Sequence, residues 1–156
     1  MTRVIASIST DEVCAAVKSF WEFFSRKSKS RFDEMYLPSA TVFAADARRM
    51  EPARLMLVRR EREIFSSGSF LTATLGPIEV QVLGPELAIA SYPFQMSITR
   101  TLAGGKRVQV EVPSGRSTQI FQRDDKGRLR ILHEHMSSAE PVSPKELPAI
   151  PAPPRA

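Results

Sequence analysis

The most informative part of the chain is RSTQIFQRDDKGRLRILHEHMS, residues 116–137. Two runs, RSTQIFQR over 116–123 and LRILHEHMS over 129–137, flank the turn sequence Asp124-Asp125-Lys126-Gly127. Short runs of this kind on either side of a glycine-containing turn are typical of a β-hairpin. The stretch therefore predicts two antiparallel strands joined by a tight turn.

The sequence before this hairpin also has the two-residue period of strands. Apolar and polar side chains alternate over 78–82, and every second residue from Ala88 to Ile98 is apolar. Gly104-Gly105 predicts another hairpin turn, which leads into a strand over 108–112. The second half of the chain is thus predicted to be a meander of strands.

The N-terminal third has a helical period instead. Ser9 and Glu12 have the spacing of a capping box, and the apolar residues that follow recur at steps of three and four. This pattern predicts an amphipathic helix over about 10–26, with an apolar face made of Val13, Val17, Phe20, Trp21 and Phe24.

Three shorter elements are predicted between this helix and the meander. They are a helix over 30–36 that ends at Leu37-Pro38, a strand over 40–45 and a helix over 53–66. One side of the last helix carries Leu55, Val58 and Arg62. Helices first and antiparallel strands afterwards predict an α+β fold, with the helices packed on one face of the sheet.

The composition is that of an ordinary globular chain. Of 156 residues, 42% are hydrophobic and 25% are charged, which excludes collagen-like, coiled-coil and wholly disordered proteins. The single cysteine, Cys14, excludes an internal disulfide and a multi-thiolate metal site. Because the sequence contains neither an apolar run long enough to span a membrane nor the pattern of a secretory signal, we expect a cytoplasmic protein with no membrane partner.

Proline is concentrated near the C-terminus. Six of the twelve prolines fall in PVSPKELPAIPAPPRA, residues 141–156. Because proline interrupts both helices and sheet ladders, we predict one domain over 1–140 and a disordered Pro-rich tail over 141–156. The alternative for this segment is a docking peptide.

Glu134 is the sharpest candidate for chemistry. Leu132 and Met136 share its face of the predicted strand, so its carboxyl would lie among apolar groups. Desolvation raises the pKa of a carboxyl and makes it a proton donor or acceptor near neutral pH. The alternative is a structural glutamate paired with an arginine such as Arg62 or Arg116.

The two histidines, His133 and His135, project from the opposite face of the same strand. A metal site would need a third ligand from a neighbouring strand, so packed or interface histidines are the better interpretation and no metal is predicted. The sequence also lacks a glycine-rich phosphate loop and a G-x-S-x-G nucleophile elbow.

The net charge of +5 raises the question of a nucleic-acid partner. Ten of the 22 positive residues lie in 25–31 and 48–62. Glutamates are interleaved with those of the second stretch, and most aromatic residues occupy periodic positions predicted to be buried. Nucleic-acid surfaces usually combine such charge with exposed stacking groups. We therefore expect these charges to belong to the helical surface, outside the strand faces of any pocket, and nucleic acid is not expected as a partner.

The last two strands carry a family resemblance. The strand Thr118-Gln119-Ile120-Phe121, the acidic turn closed by Gly127, and the ending His133-Glu134-His135-Met136-Ser137 fit the pattern T-x-[VI]-[WF], acidic-glycine turn, H-x-H-x-S. This pattern resembles the association (hub) domain of calcium/calmodulin-dependent protein kinase II and the bacterial SnoaL-like proteins. Both belong to the nuclear transport factor 2-like superfamily, and the order of elements agrees over roughly 8–138.

The resemblance implies a cone-shaped α+β fold of the cystatin-like type, in which a strongly bent antiparallel or mixed sheet wraps around the N-terminal helices and encloses a pocket. It also implies a homodimer formed through the outer face of the sheet, with His133 and His135 as dimer-face candidates. The residues expected to line the pocket are Trp21, Tyr36, Phe94, Met96, Gln119, Phe121, Leu132 and Met136.

The resemblance has one departure that bears on function. Where the hub domain places arginines in its pocket, this sequence has Phe94, Gln119 and Met136. A mainly apolar pocket is therefore expected, with Tyr92, Gln119 and Glu134 as polar points. Because the superfamily hosts many functions, it predicts fold far better than activity.

Two functional hypotheses follow. The first is a SnoaL-like protein of unassigned activity that binds a small, mainly apolar molecule; if it is an enzyme, it is a cofactor-free isomerase, dehydratase or cyclase with Glu134 as acid/base and Tyr92 as hydrogen-bond donor. The alternative is a non-catalytic dimeric association module that organises protein partners.

Overall fold

The computed structural model describes residues 6–45, 47–65 and 70–138, and the predicted Pro-rich tail lies outside them. The helices are α1 (Thr10–Ser25), α2 (Lys29–Asp33) and α3 (Ala53–Arg60), the last continued by a π-helical turn, Glu61–Phe65. The strands are β1 (Tyr36–Phe43), β2 (Glu51–Pro52), β3 (Phe70–Leu75), β4 (Glu79–Val82), β5 (Leu87–Thr101), β6 (Arg107–Arg123) and β7 (Leu129–Ser138). The α+β fold class is confirmed.

The strands form one mixed, open sheet. Its order is β2-β1-β7-β6-β5-β3, with β4 also paired to β5. The predicted meander of β5, β6 and β7 is antiparallel throughout, whereas β1 runs parallel to β7. The strand nearest the N-terminus therefore pairs with the most C-terminal strand of the described chain, which places α1 and α2 beside the final hairpin.

Helix α1 forms as its capping box and apolar period predict. The Ser9 hydroxyl accepts a hydrogen bond from the Glu12 backbone N–H at 3.2 Å, and the predicted apolar face, from Val13 to Phe24, is buried. Arg123, at the end of β6, donates to both carboxyl oxygens of Glu12 at 2.6 and 2.8 Å. This ion pair ties the start of α1 to the sheet.

Aromatic side chains fill the space between the helices and the sheet. The ring centroid of Phe20 lies 4.9 Å from that of Phe32, and the centroid of Trp21 lies 4.8 Å from that of Phe94. Burying a side chain of this size contributes about 1.5–3 kcal/mol, and offset or edge contacts between rings add to it. The core thus joins α1, α2 and β5.

None of the helices among the described residues is long and apolar enough to cross a membrane.

Several predicted boundaries differ from the structure. Helix α2 ends at Asp33 and strand β1 already begins at Tyr36, because Tyr36 pairs with Ile131 of β7. Pro38, predicted to end a helix, lies instead in β1 at an exposed position where the pairing register is irregular. The strands predicted over 108–112 and 116–123 form the single strand β6, and the sequence pattern missed β2 and β3.

The third helix turns a different face to the core from the one its sequence suggests. Leu55 and Val58 are 49% and 54% exposed, whereas Ala53 and Met56 are buried. The α-helix stops at Arg60 and the chain continues through the π-helical turn, so the predicted helix over 53–66 is shorter than expected. The buried face of α3 carries small or flexible side chains, whereas its larger apolar residues are exposed. The apolar pattern of the sequence therefore predicted the wrong face as buried.

Gly115 lies at a close approach between neighbouring strands of the sheet. It pairs with Phe94 on β5 and with Ser138 on β7. A Cβ at this position would lie 2.6 Å from Cζ of Phe94 and 3.0 Å from the Ser137 carbonyl oxygen. Both distances are too short, so the Phe94 ring can occupy its position only because residue 115 has no side chain.

We predict that Gly115→Ala destabilises the fold by about 1–3 kcal/mol, the usual cost of overpacking. Gly84→Ala is the matched control, because a Cβ there meets no atom within 4 Å. Urea unfolding followed by circular dichroism measures both variants. Equal free energies of unfolding for the two variants would contradict the argument.

Candidate functional site

A cavity of about 320 Å³ lies between the helices and the sheet. This volume falls at the lower end of the range of small-molecule pockets. Its lining is mostly aromatic and aliphatic, and every helix and the strands β1, β5, β6 and β7 contribute to it. The aromatic lining residues are Phe20, Trp21, Phe24, Phe32, Tyr36 and Phe94. An apolar molecule of modest size is the kind of ligand that such a surface favours.

Glu134 is the acidic residue among the lining residues of the described chain. It lies in the middle of β7, is only 1% exposed, and both of its carboxyl oxygens accept hydrogen bonds. Tyr36 of β1 donates to Oε1 at 3.0 Å, and Gln119 of β6 donates through Nε2 to Oε2 at 2.5 Å. The two strands adjacent to β7 therefore each supply one partner.

The environment of Glu134 changes its acidity. Desolvation by burial raises the pKa of this carboxyl to about 7, although the hydrogen bonds from Gln119 and Tyr36 and the charge of Arg60 act to lower it. A carboxyl with this pKa holds a proton on roughly half of the molecules at neutral pH. It can therefore both give and accept a proton.

Under the structural alternative, Glu134 would pair with an arginine such as Arg62 or Arg116. Both of those arginines are exposed, and the carboxyl oxygens accept hydrogen bonds from Tyr36 and Gln119 instead. Arg60, at the end of α3, lines the cavity instead and acts on Glu134 through its charge. The basic residues were expected mostly on the helical surface, outside the strand faces of the pocket; Arg60 is on a helix, and it also lines the cavity. The sequence contains a pattern that could have identified Arg60. Ala53, Met56 and Arg60 are spaced at i, i+3 and i+7, so they lie on one face of the helix.

Tyr92 lies behind the cavity lining. It is buried in β5, and its hydroxyl oxygen accepts a hydrogen bond from the indole N–H of Trp21 at 2.9 Å. Burial, and next the charge of Glu134, raises the pKa of Tyr92, and the same two causes raise that of Tyr36. Both phenols therefore keep their protons at neutral pH.

Most of the residues predicted for the pocket meet there. Trp21, Tyr36, Phe94, Met96 and Met136 line the cavity. Gln119 and Phe121 are completely buried and lie outside the lining, Gln119 supporting Glu134 from the side. The lining also contains ten residues that were not predicted for the pocket, among them Met56, Arg60 and Gly115.

Leu132 does not lie where its position in the strand predicts. The pairing of β6 with β7 passes from Ile120–His133 directly to Phe121–Ile131, so Leu132 is the extra residue of a β-bulge. Ile131 is completely buried in its place, and Leu132 is only half-buried and does not line the cavity. The bulge breaks the strict alternation on which the prediction rested.

The histidines lie on the other face of β7. The Thr41 hydroxyl and the Nδ1 atom of His133 are hydrogen-bonded at 2.8 Å, and the exposed ring of His135 packs against Phe43 with its centroid 5.4 Å away. Burial and the neighbouring His135 lower the pKa of His133, which is therefore neutral at pH 7. Within the ranges that the structure describes, no three His, Cys, Asp or Glu side chains come close enough to hold a metal ion.

Comparison with known proteins identifies the fold. No protein-family model matches the chain, and no curated protein matches it either. Among solved structures, it resembles a candidate dehydratase of the nuclear transport factor 2-like family from Streptomyces avermitilis, with a TM-score of 0.69, 14% identity and coverage of 83% of this chain and 95% of that one.

Two further solved structures have different functional descriptions. A candidate calcium/calmodulin-dependent protein kinase II association domain from Xanthomonas campestris gives a TM-score of 0.64 at 16% identity, covering 91% of this chain and 99% of that one. A Catenulispora acidiphila protein in complex with S-DNPA gives 0.65 at 13% identity, covering 82% and 91%. The fold is thus of the nuclear transport factor 2-like, cystatin-like type, as the sequence resemblance implied.

The pKa of Glu134 predicts a pH dependence of stability. Folding raises this pKa from an ordinary value of 4.5 to about 7, so the folded state retains a proton that the unfolded chain has released. Relative to Glu134→Gln, the free energy of unfolding of the wild type should therefore be highest at about pH 4 and fall by roughly 3 kcal/mol as the pH rises to about 8.

Urea unfolding of the wild type and Glu134→Gln at several pH values measures this difference. Glu79→Gln, at an exposed position on β4, is the control, and its difference from the wild type should vary by less than about 0.5 kcal/mol over the same range. Parallel pH profiles for the wild type and Glu134→Gln would show that the carboxyl is not desolvated.

Proposed function

We propose that the protein binds a small, mainly apolar molecule in this cavity and that Glu134 exchanges protons with it. The observation that supports this most is a carboxyl at the surface of an apolar cavity that is only 1% exposed and has a pKa of about 7. A general acid or base works best when its pKa lies near the operating pH. If Glu134 served only to stabilise the fold, an apolar side chain of similar size could take its place without the free-energy cost of burying an ionisable group.

The chemistry that fits is proton transfer without a cofactor. A carboxylate removes a proton from the carbon next to a carbonyl group, the electron pair of the C–H bond moves into the enolate, and Glu134 becomes a carboxylic acid. Return of that proton to another carbon is an isomerisation, and expulsion of a β-hydroxyl as water is a dehydration. Attack of the enolate carbon on a second carbonyl is a cyclisation. All three need one group that accepts and then returns a proton.

Tyr36 and Gln119 are suited to position this group. Both donate to the carboxylate form of Glu134. The Oε1 atom of Gln119 is buried and has no hydrogen-bond partner among the described residues. When Glu134 is protonated, turning over the Gln119 amide brings this acceptor to the new O–H. The pair can thus satisfy both protonation states of the carboxyl.

In this proposal, Tyr92 acts on the ligand through Trp21. Its hydroxyl holds the indole N–H of Trp21, whose ring lines the cavity. The role of direct hydrogen-bond donor to the ligand stays a prediction for Tyr92. Tyr36, which lines the cavity and touches Glu134, is better placed for that contact.

Two of the similar structures support the choice of function class without fixing the reaction. One is described as a candidate dehydratase, and the other is in complex with S-DNPA. At 14% and 13% identity they share the fold with this chain, so the reaction itself must come from experiment.

We expect the wild type to bind 2-tetralone, a two-ring ketone, and to catalyse exchange of its α-protons with deuterium from D₂O. Equilibrium dialysis measures binding, and mass spectrometry measures deuterium uptake. Glu134→Gln should keep binding within about threefold and lower the exchange rate at least 100-fold, the contribution typical of general acid–base catalysis. Ala44→Leu, which adds bulk to the cavity lining, should weaken both.

The control is Ala103→Leu, in the exposed turn between β5 and β6. It should change neither quantity. Binding that survives without any exchange would make the protein a carrier rather than an enzyme, and failure to bind would contradict the pocket proposal as a whole.

A second candidate function is self-association through the outer face of the sheet. The similarity to an association domain favours it, as does the exposure of Phe43 and His135 on the face opposite Glu134. The neutral imidazole of His133 beside them adds no charge to this surface. Such a face could pair with its copy around a two-fold axis.

We expect the wild type to have twice the chain mass of 17.4 kDa in light scattering. His135→Glu should shift it toward the monomer, because two copies of the new charge would face each other across the interface. Lys126→Glu, in the exposed β6–β7 turn, is the control and should leave the mass unchanged. A monomeric wild type would rule out this candidate.

A further inference from the structure

We propose that the protein docks on anionic lipid bilayers through the solvent face of α3, which is made of Arg54, Leu55, Val58 and Arg62. The arginines contact lipid phosphates, and the two apolar side chains enter the boundary between headgroups and acyl chains. None of the four residues lines the cavity, so this inference goes beyond the proposed function. We expected no membrane partner because the sequence has no run long enough to span a bilayer, but docking on the bilayer surface needs none.

The spacing of these four residues puts them on one side of the helix. Arg54 and Val58 are four residues apart, Leu55 and Val58 are three apart, and Arg62 follows Val58 by four, in the π-helical turn that continues α3. All four are exposed, whereas Met56 on the opposite side lines the cavity. The apolar pattern that predicted a buried helix face therefore forms a surface of mixed apolar and cationic side chains.

The chain just before α3 has the same surface composition. Arg48, Arg49 and Met50 are exposed, and the exposed fraction of Met50 is 55%. The whole segment 48–62 contains six arginines and two glutamates. Exposed apolar side chains surrounded by arginines are typical of segments that lie in the interface of an anionic membrane, where the long arginine side chains reach the headgroups.

The two glutamates of this segment are engaged within the protein. Arg59 donates to a carboxyl oxygen of Glu51 at 2.7 Å, and Nζ of Lys29 lies 3.3 Å from a carboxyl oxygen of Glu61. The exposed surface of the segment therefore keeps an excess of positive charge, which attracts a negatively charged surface. Near an anionic bilayer, each arginine strengthens binding by about fivefold.

A bilayer complements this surface better than the other candidate occupants do. A second copy of the chain would bring arginines against arginines, which opposes association. Segment 139–156 contains two acidic and two basic residues, so it has no net charge to match the arginines. A nucleic acid offers phosphates, but its backbone gives the exposed leucine and valine no apolar contact. A specific protein partner usually covers about 20–30 residues, more than the seven that carry this surface.

Flotation of the full chain with lipid vesicles tests the proposal. The vesicles contain phosphatidylcholine alone or phosphatidylcholine with about 30% phosphatidylglycerol, in about 0.1 M NaCl. We expect binding to the anionic vesicles to be at least about tenfold tighter. The double variants Arg54→Gln/Arg62→Gln and Leu55→Ser/Val58→Ser should each weaken it at least about fivefold. Their circular dichroism spectra should match that of the wild type, because all four side chains are exposed.

Two matched controls change exposed residues elsewhere. Lys18→Gln/Lys106→Gln removes two charges, and Leu83→Ser/Leu102→Ser removes two apolar side chains. Both should bind the anionic vesicles within about twofold of the wild type, since the changed side chains lie outside the docking surface.

Two results would overturn the proposal. If the wild type binds neither vesicle, or binds both equally, the bilayer is not the partner and an acidic protein becomes the candidate for this surface. If only the arginine variant loses binding and the serine variant binds like the wild type, charge alone attracts the protein and its apolar side chains do not dock.

Discussion

The burial of one carboxyl group constrains much of this structure. Glu134 is removed from water, so its two oxygens depend on donors from the protein, and these come from the strands on either side of β7. Tyr36 arrives with β1, which is parallel to β7, and Gln119 lies directly opposite on antiparallel β6. Each partner can reach the carboxyl only if its strand keeps this register. A slip of one residue would turn the donor to the other face of the sheet.

Around Glu134, closely packed side chains surround a cavity. Aromatic residues from α1, α2 and β5 pack on one another closely enough to form a core, yet they leave a cavity that no side chain fills. Natural interiors are usually packed to crystal-like density, and each void costs stability. A cavity of this size that includes an ionisable group departs from such dense packing, and this departure supports the proposed binding function.

The fold was predictable from local patterns because its elements follow simple periods. The capping box of Ser9 and Glu12, the alternation in β5 and the final hairpin each reproduce the structure with small shifts at the ends. Most of the pocket residues followed from the family resemblance, which supplied the choice of sheet face that periodicity left open. Glu134 was identified because its strand neighbours are apolar.

The remaining features could not be predicted from the local sequence, because they depend on contacts between segments that are distant in the chain. The bulge at Leu132 is a mismatch between two strands and has no signature in either one alone. Arg60 was hidden because the exposed face of α3 is more apolar than its buried face, with Leu55 and Val58 in solvent. The hydrogen bond from Tyr36 to Glu134 joins residues 98 positions apart, and only the parallel pairing of β1 with β7 brings them together.

That parallel pairing also determines when the molecule can assemble. Closing a loop of more than ninety residues costs entropy before any of its contacts form, and proteins dominated by such contacts fold slowly. On the ribosome, β1 has no parallel partner until β7 has been synthesised and has left the exit tunnel. Until then the aromatic face of α1 lacks the sheet that covers it. The newly made chain therefore passes through a stage in which the residues that will line the cavity form an exposed apolar surface, the kind of surface that chaperones bind.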